Sequence, residues 1–177
     1  MVWAQIKALM NNEPVPEPRP FETYDLATPF PAVEQMSDEE AVEALKPILQ
    51  MAKCGILEPQ LEAARILCDL SLHDAMQHHM CDSGCVQALV ENLLTCDMCE
   101  WTRQHAVLAL ANLSETQSCQ EAMIDAGILP TLLQLVKDGP YNTAEMRREA
   151  ARILANLSAR LASRVVAVLG ARTLSAW

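Results

Sequence analysis

Three stretches decide the fold: Ala63-Ala64-Arg65-Ile66-Leu67-Cys68-Asp69-Leu70-Ser71, Ala106-Val107-Leu108-Ala109-Leu110-Ala111-Asn112-Leu113-Ser114 and Ala150-Ala151-Arg152-Ile153-Leu154-Ala155-Asn156-Leu157-Ser158. Their closing serines stand 43 and then 44 residues apart, and Gly84, Gly127 and Gly170 keep a step of 43. After the first two glycines come similar runs, Cys85-Val86-Gln87-Ala88-Leu89-Val90 and Ile128-Leu129-Pro130-Thr131-Leu132-Leu133. Two independent markers with one period mean that the chain repeats a structural unit, and no single motif can be read before that repeat.

The punctuation around these stretches gives three helices per repeat. A short first helix ends at Asp125-Ala126-Gly127, with glycine in the left-handed cap, and a second starts with Pro130 in its first turn and stops near Lys137, ahead of Gly139-Pro140. The third starts at a capping box, Asn142 with Glu145 or Asp97 with Glu100 one repeat earlier, and runs to Ser158 or Ser114. Upstream, Ser37-Asp38-Glu39-Glu40 has the form of a capping box; Val42, Leu45, Ile48, Leu49 and Ala52 follow at helical spacing, and Gly55 ends the run. Ile66, Leu67, Leu70, Leu110, Leu113, Ile153, Leu154 and Leu157 recur at the spacing of a buried helix face and are the expected core.

This unit, with its period of about 43 and its Ala-x-x-Ala-Leu-x-Asn-Leu-Ser third helix, resembles the armadillo repeat over residues 37–171. The resemblance implies an all-α fold, a right-handed α-solenoid of three-helix repeats whose third helices line a concave groove. In the family an Asn on that helix holds the backbone of an extended peptide, and Asn112 and Asn156 match it; the first copy has Asp69 instead. A carboxamide suits the task because it donates and accepts at once. One turn earlier stand Arg65, Leu108 and Arg152, where importin-α-like members carry Trp, so binding of basic nuclear signals is not implied. With Arg148 these residues form the expected partner-binding set: Arg65, Asp69, Leu108, Asn112, Arg148, Arg152 and Asn156. The expected ligand is a protein or peptide with neutral or acidic stretches opposite Arg148 and Arg152. The bland alternative for the asparagines is a tie between neighbouring helices.

Composition removes other classes. Only five glycines in 177 residues leave no Gly-rich phosphate cradle. A net charge of −10 repels nucleic acid, whose affinity comes mostly from phosphate neutralisation. Half the residues are apolar but only seven are aromatic, so the core is aliphatic. No stretch has the length of a membrane span, and no export signal is evident, which gives a cytoplasmic or nuclear expectation and reads the seven cysteines as reduced thiols. Asn112-Leu113-Ser114 and Asn156-Leu157-Ser158 have the glycosylation pattern but are read as structural.

Two further chemistries compete. Cys81, Cys85, Cys96 and Cys99 have a spacing that could hold zinc through four thiolates, which makes a small zinc-binding helical regulator the alternative reading. Against it, the register sets Cys81 over Ile124 and Cys85 over Ile128, both apolar core slots. Catalysis has no support: Ser71, His73 and Asp74 crowd one helix end where their side chains diverge, and no cofactor is implied.

The ends of the chain differ from the array. Residues 1–36 are a Pro-rich acidic segment expected to be extended or disordered, with Pro14, Pro16, Pro18, Pro20, Pro29 and Pro31 removing helix donors. Residues 145–177 hold six Arg against two Glu, and Arg164 to Gly170 resembles one more first helix, cut short before a second can follow; residues 172–177 are a tail. Val165, Val166, Val168 and Leu169 would leave an apolar end, so self-association through the C-terminus or dependence on a partner there is expected.

Overall fold

The computed structural model describes residues 36–95, 99–137 and 142–174, with side chains to residue 162. The helices are α1 (Asp38–Lys53), α2 (Leu57–Leu70), α3 (Asp74–Asp82), α4 (Cys85–Ala88, continued by a π-helical turn over Leu89–Leu93), α5 (Glu100–Leu113), α6 (Gln117–Asp125), α7 (Leu129–Leu135) and α8 (Ala144–Leu174). No strand occurs among the described residues. The chain is an all-α, armadillo-type solenoid: α1 and α2 are the second and third helices of one repeat, α3 to α5 a complete repeat, and α6 to α8 the next.

Local chemistry sets most of the boundaries. The Glu40 amide donates to Ser37 Oγ and the Ser37 amide to Glu40 Oε2, so the capping box that opens α1 is closed at both ends. Gly55, Gly84 and Gly127 have φ of 72°, 81° and 72°, the left-handed region that lets the chain turn sharply after α1, α3 and α6. Pro130 sits in the first turn of α7.

One expected cap is different. At the start of α8 the Met146 amide donates to Thr143 Oγ1 at 3.1 Å, so Thr143, not Asn142, is the capping residue. Asn142 serves the helix before it: its Nδ2 donates to the carbonyls of Gln134 and Lys137, both at 3.1 Å, closing the end of α7. Asp97 lies outside the described residues; Cys99 precedes α5 without a side-chain cap.

The third helices stack side by side, α2 on α5 and α5 on α8. One continuous aliphatic core runs beneath them, with Leu45, Ile48, Ile66, Leu67, Leu89, Leu93, Leu110, Leu113, Ile153 and Leu157 without solvent exposure. Of the expected core residues only Leu154 is half-buried, although its counterparts Leu67 and Leu110 are fully buried. The helices that carry those two each pack against the third helix of the next repeat, whereas among the described residues no further third helix packs on the one that carries Leu154.

The expectation of a separate first helix after Ser158 is overturned. α8 runs 31 residues from Ala144 to Leu174 without a break. The two earlier third helices stop because a glutamine closes them: Gln77 Nε2 donates to the Ser71 carbonyl at 3.0 Å and Gln120 Nε2 to the Ser114 carbonyl at 2.8 Å. Six residues beyond Ser158 stands Arg164, and neither Gly nor Pro intervenes, so nothing competes with continuing the helix. Val165, Val166, Val168 and Leu169 lie in α8 beyond the described side chains.

Replacing Leu110 by Ala should cost about 2–5 kcal/mol, and the same change at Leu154, where solvent already reaches the side chain, roughly half that or less. Equal losses at the two sites in chemical denaturation would show that Leu154 is covered as completely as Leu110.

Candidate protein-binding surface

Stacking sets register-equivalent residues of α2, α5 and α8 in four rows: Glu58, Trp101, Glu145; Glu62, His105, Glu149; Arg65, Leu108, Arg152; and Asp69, Asn112, Asn156. All seven residues that the sequence points to as partner-binding belong to these helices, Arg148 standing between the first two rows on α8.

The last row explains the Asn-Leu-Ser signature. Asn112 Nδ2 donates to Ser71 Oγ at 3.0 Å, and Asn156 Nδ2 donates to Ser114 Oγ at 2.8 Å. Each serine hydroxyl in turn donates to the carbonyl three residues back, Ser71 to Cys68 at 2.6 Å and Ser114 to Ala111 at 2.7 Å. Ser71 and Ser114 are fully buried, so these two repeat boundaries are each latched by a serine that gives its proton to its own helix and accepts one from the next repeat. The carboxamides are thus inter-helix ties, and their donor side is engaged within the chain. Asn112 is engaged on both sides, because its Oδ1 accepts from Arg152 Nη2 at 3.1 Å.

Arg152 is equally committed. Its Nη1 lies 3.2 Å from Glu115 Oε1, and its Nε lies 2.8 Å from Glu149 Oε2, an ion pair rather than an aligned hydrogen bond. Arg148 pairs with Glu149 at 2.9 Å and with Glu145 at 3.7 Å, and Arg65 with Glu62 at 3.6 Å. Glu149, nearly buried, is the hub of this network, and Gln104 Nε2 reaches across to Glu145 Oε2 at 2.6 Å. The cations expected to face an acidic ligand are therefore largely neutralised by the protein's own carboxylates. Arg152→Glu would set a third carboxylate against Glu149 and Glu115 and disturb the fold, not the groove alone.

Asp69 has the opposite problem. In the next repeat Arg152 covers Asn112, but the residue that stands over Asp69 in that register is Leu108. Burial pushes its carboxyl up to about 6, against the pull of Arg65 and with Glu62 adding to the rise. His105 is shifted downward, chiefly by burial, while its Nδ1 lies 2.8 Å from the Trp101 carbonyl.

The middle helix differs from its neighbours. Where α2 and α8 carry charges in the first three rows, α5 presents Trp101, His105 and Leu108. Trp101 is 51% exposed, and Leu108 half-buried. An uncharged strip thus runs between the Glu62–Arg65 and Glu149–Arg152 pairs. The strip, the Gln77 and Gln120 closures and the Glu149 hub were not evident in the sequence. The glutamines could have been found, since they recur 43 residues apart, and Trp101 is conspicuous once aligned with Glu58 and Glu145.

The cysteines are not gathered for a metal. Cys81 is joined to Cys119, with the Cα atoms 5.4 Å apart, which corrects the expectation that all seven are reduced thiols and removes one of the four zinc candidates. Cys85 is fully buried, its thiol pushed up to about 12, mainly by burial. Cys96 lies outside the described residues. Among the described residues no three His, Cys, Asp or Glu side chains are grouped to hold a metal.

Residues 116–159 match the family model of the armadillo/β-catenin-like repeat. Two crystal structures of engineered proteins from the Northeast Structural Genomics Consortium are similar to this chain, at 29% identity with a TM-score of 0.57 and at 28% with a TM-score of 0.54. The first match covers 68% of this chain and 50% of the engineered one, the second 70% and 52%, so this chain spans about half the length of those proteins. No curated protein matches it.

Two outcomes test this account of the rows. Asn112→Ala and Ser71→Ala should each cost about 1–2 kcal/mol, and their double-mutant cycle should return a coupling near 1 kcal/mol; additive losses would break the latch. Asp69→Asn concerns pH. A carboxyl whose folded pKa of about 6 exceeds its unfolded value of 3.8 destabilises the fold at neutral pH, and the cost is relieved as pH falls from above 6 towards 4. The variant should therefore gain roughly 1–3 kcal/mol at pH 7.5, with the gain vanishing near pH 4. His105 works in the other sense in both proteins, so the difference between their melting curves isolates Asp69.

Proposed function

We propose that this protein is a non-enzymatic interaction scaffold or adaptor that holds a partner protein, in an extended segment, against the face of α2, α5 and α8. The armadillo-type repeat supports the coarse reading, since such arrays offer a long continuous surface and few of the convergent polar groups that catalysis needs. The observation that carries the finer one is the half-exposed Trp101 beside Leu108, bracketed by ion pairs. Neither side chain belongs to the buried core cluster. An aromatic in such a setting supplies contact area at small entropic cost, which is how binding anchors work.

On this reading selection comes from the uncharged strip: an aliphatic or aromatic side chain of the partner packs on Trp101 and Leu108, with polar groups flanking it towards Arg65 and Arg152. Asn112 and Asn156 contribute by holding the helices in register, and Asn156 Oδ1 offers one backbone-reading acceptor. A cytoplasmic or nuclear setting is part of the same proposal.

Selection from a random peptide library displayed on phage provides the test. Peptides enriched on the wild type should share an apolar anchor, and Trp101→Ala should weaken them tenfold or more, about 1.4 kcal/mol, with circular dichroism and melting unchanged. An enriched set that binds Trp101→Ala as well as the wild type would move the binding surface away from this strip.

A further inference from the structure

We propose that Cys81 and Cys119 form a reversible thiol–disulfide site, closed by low-molecular-weight disulfides of the glutathione type and opened by thiols, that staples one repeat to the next. Cys81 lies near the end of α3 and Cys119 near the start of α6, the first helices of consecutive repeats, which pack against each other. Their Cα separation of 5.4 Å is within the range a disulfide spans. The pairing is particular to this junction: the residues in equivalent register are Ile124 for Cys81 and Met76 for Cys119, so ordinary apolar side chains serve these slots elsewhere in the array.

Exposure gives the two sulfurs different roles. Cys119 is fully buried, whereas Cys81 is partly exposed. The Cys81 thiolate attacks one sulfur of the small disulfide, forming a mixed disulfide and expelling one thiolate. The Cys119 thiolate then attacks Cys81 Sγ, forming the internal bond and expelling the second. Two protein thiols are oxidised by two electrons, the small disulfide is reduced to two thiols, and the two protein protons end on the products. Attack needs a thiolate. Cys68 and Cys85 stand free, with no second sulfur at bonding distance, and take no part.

The staple acts where the array is latched. α3 follows α2 directly after Ser71, and α6 follows α5 directly after Ser114, so the bond joins the chain just beyond two serines of the ladder. Closing it across 38 residues of sequence restricts the unfolded chain and ties α3 to α6. Reversibility reconciles the pair with a setting in which the other cysteines remain thiols. This inference stands on the cysteine geometry and is independent of the proposed binding strip.

The experiment uses the full chain, first reduced and then equilibrated with glutathione disulfide. Peptide mapping should find Cys81 and Cys119 in one linked peptide, both should lose reactivity towards N-ethylmaleimide together, and the melting temperature should rise by roughly 5–15 °C, returning with dithiothreitol. Cys81→Ile and Cys119→Met, which install the residues of the equivalent registers, should fold and lack the redox-dependent shift. A glutathione adduct that persists on Cys81 without closing, a melting temperature indifferent to dithiothreitol, or a shift retained in either variant would overturn the proposal.

Discussion

A buried serine hydroxyl at each of the two described repeat boundaries is the constraint on which the rest depends. Ser71 and Ser114 each have one proton to give and give it to a carbonyl of their own helix, which leaves the oxygen lone pairs to be filled. The carboxamide one repeat later fills them, at Asn112 and Asn156. In a fully buried setting an unfilled partner on either side costs more than the bond itself is worth, so the register of one third helix on the next is specified and not merely favoured. The aliphatic core supplies most of the driving force for stacking, but apolar contacts tolerate sliding, and the latch does not.

Fixing the helices in register also fixes what the exposed face can offer. Side chains equivalent by repeat fall into rows, and rows of charge neutralise one another: Glu149 draws in Arg148 and Arg152, Glu62 draws in Arg65. Such partly exposed pairs contribute little net stability, but they reduce the field that an acidic ligand would meet. The uncharged side chains of α5 then stand out by contrast. Asp69 marks the other limit of the pattern: the next repeat has Leu108 and not an arginine in the register of Arg152, and burial holds the Asp69 carboxyl well above the usual carboxylate range.

The cysteines divide by environment in the same way. Cys68 and Cys85 are small apolar residues in all but name, protonated and enclosed. Cys81 and Cys119 differ because two helices bring them face to face. A thiol buried alone is inert, whereas a second sulfur at bonding distance makes the same residue a potential cross-link.

The sequence by itself determined the period, the helices and the core. Those features rest on signals that act within a few residues: glycines at positive φ, the Ser37–Glu40 box, Pro130 in a first turn, and leucines at helical spacing. It also marked Asn112 and Asn156 as special, since an Asn-Leu-Ser triplet recurring at one period has a common cause. Only the tertiary structure decided what that cause is. The partners of the asparagines lie 41 and 42 residues away, those of Arg152 up to 40, and that of Cys81 38. Which atoms meet across such distances depends on how one helix is rotated on the next, a property of packing with no local signature. The same reason accounts for α8: continuation past Ser158 follows from a missing glutamine whose role is visible only where Gln77 and Gln120 fold back onto the helices they close.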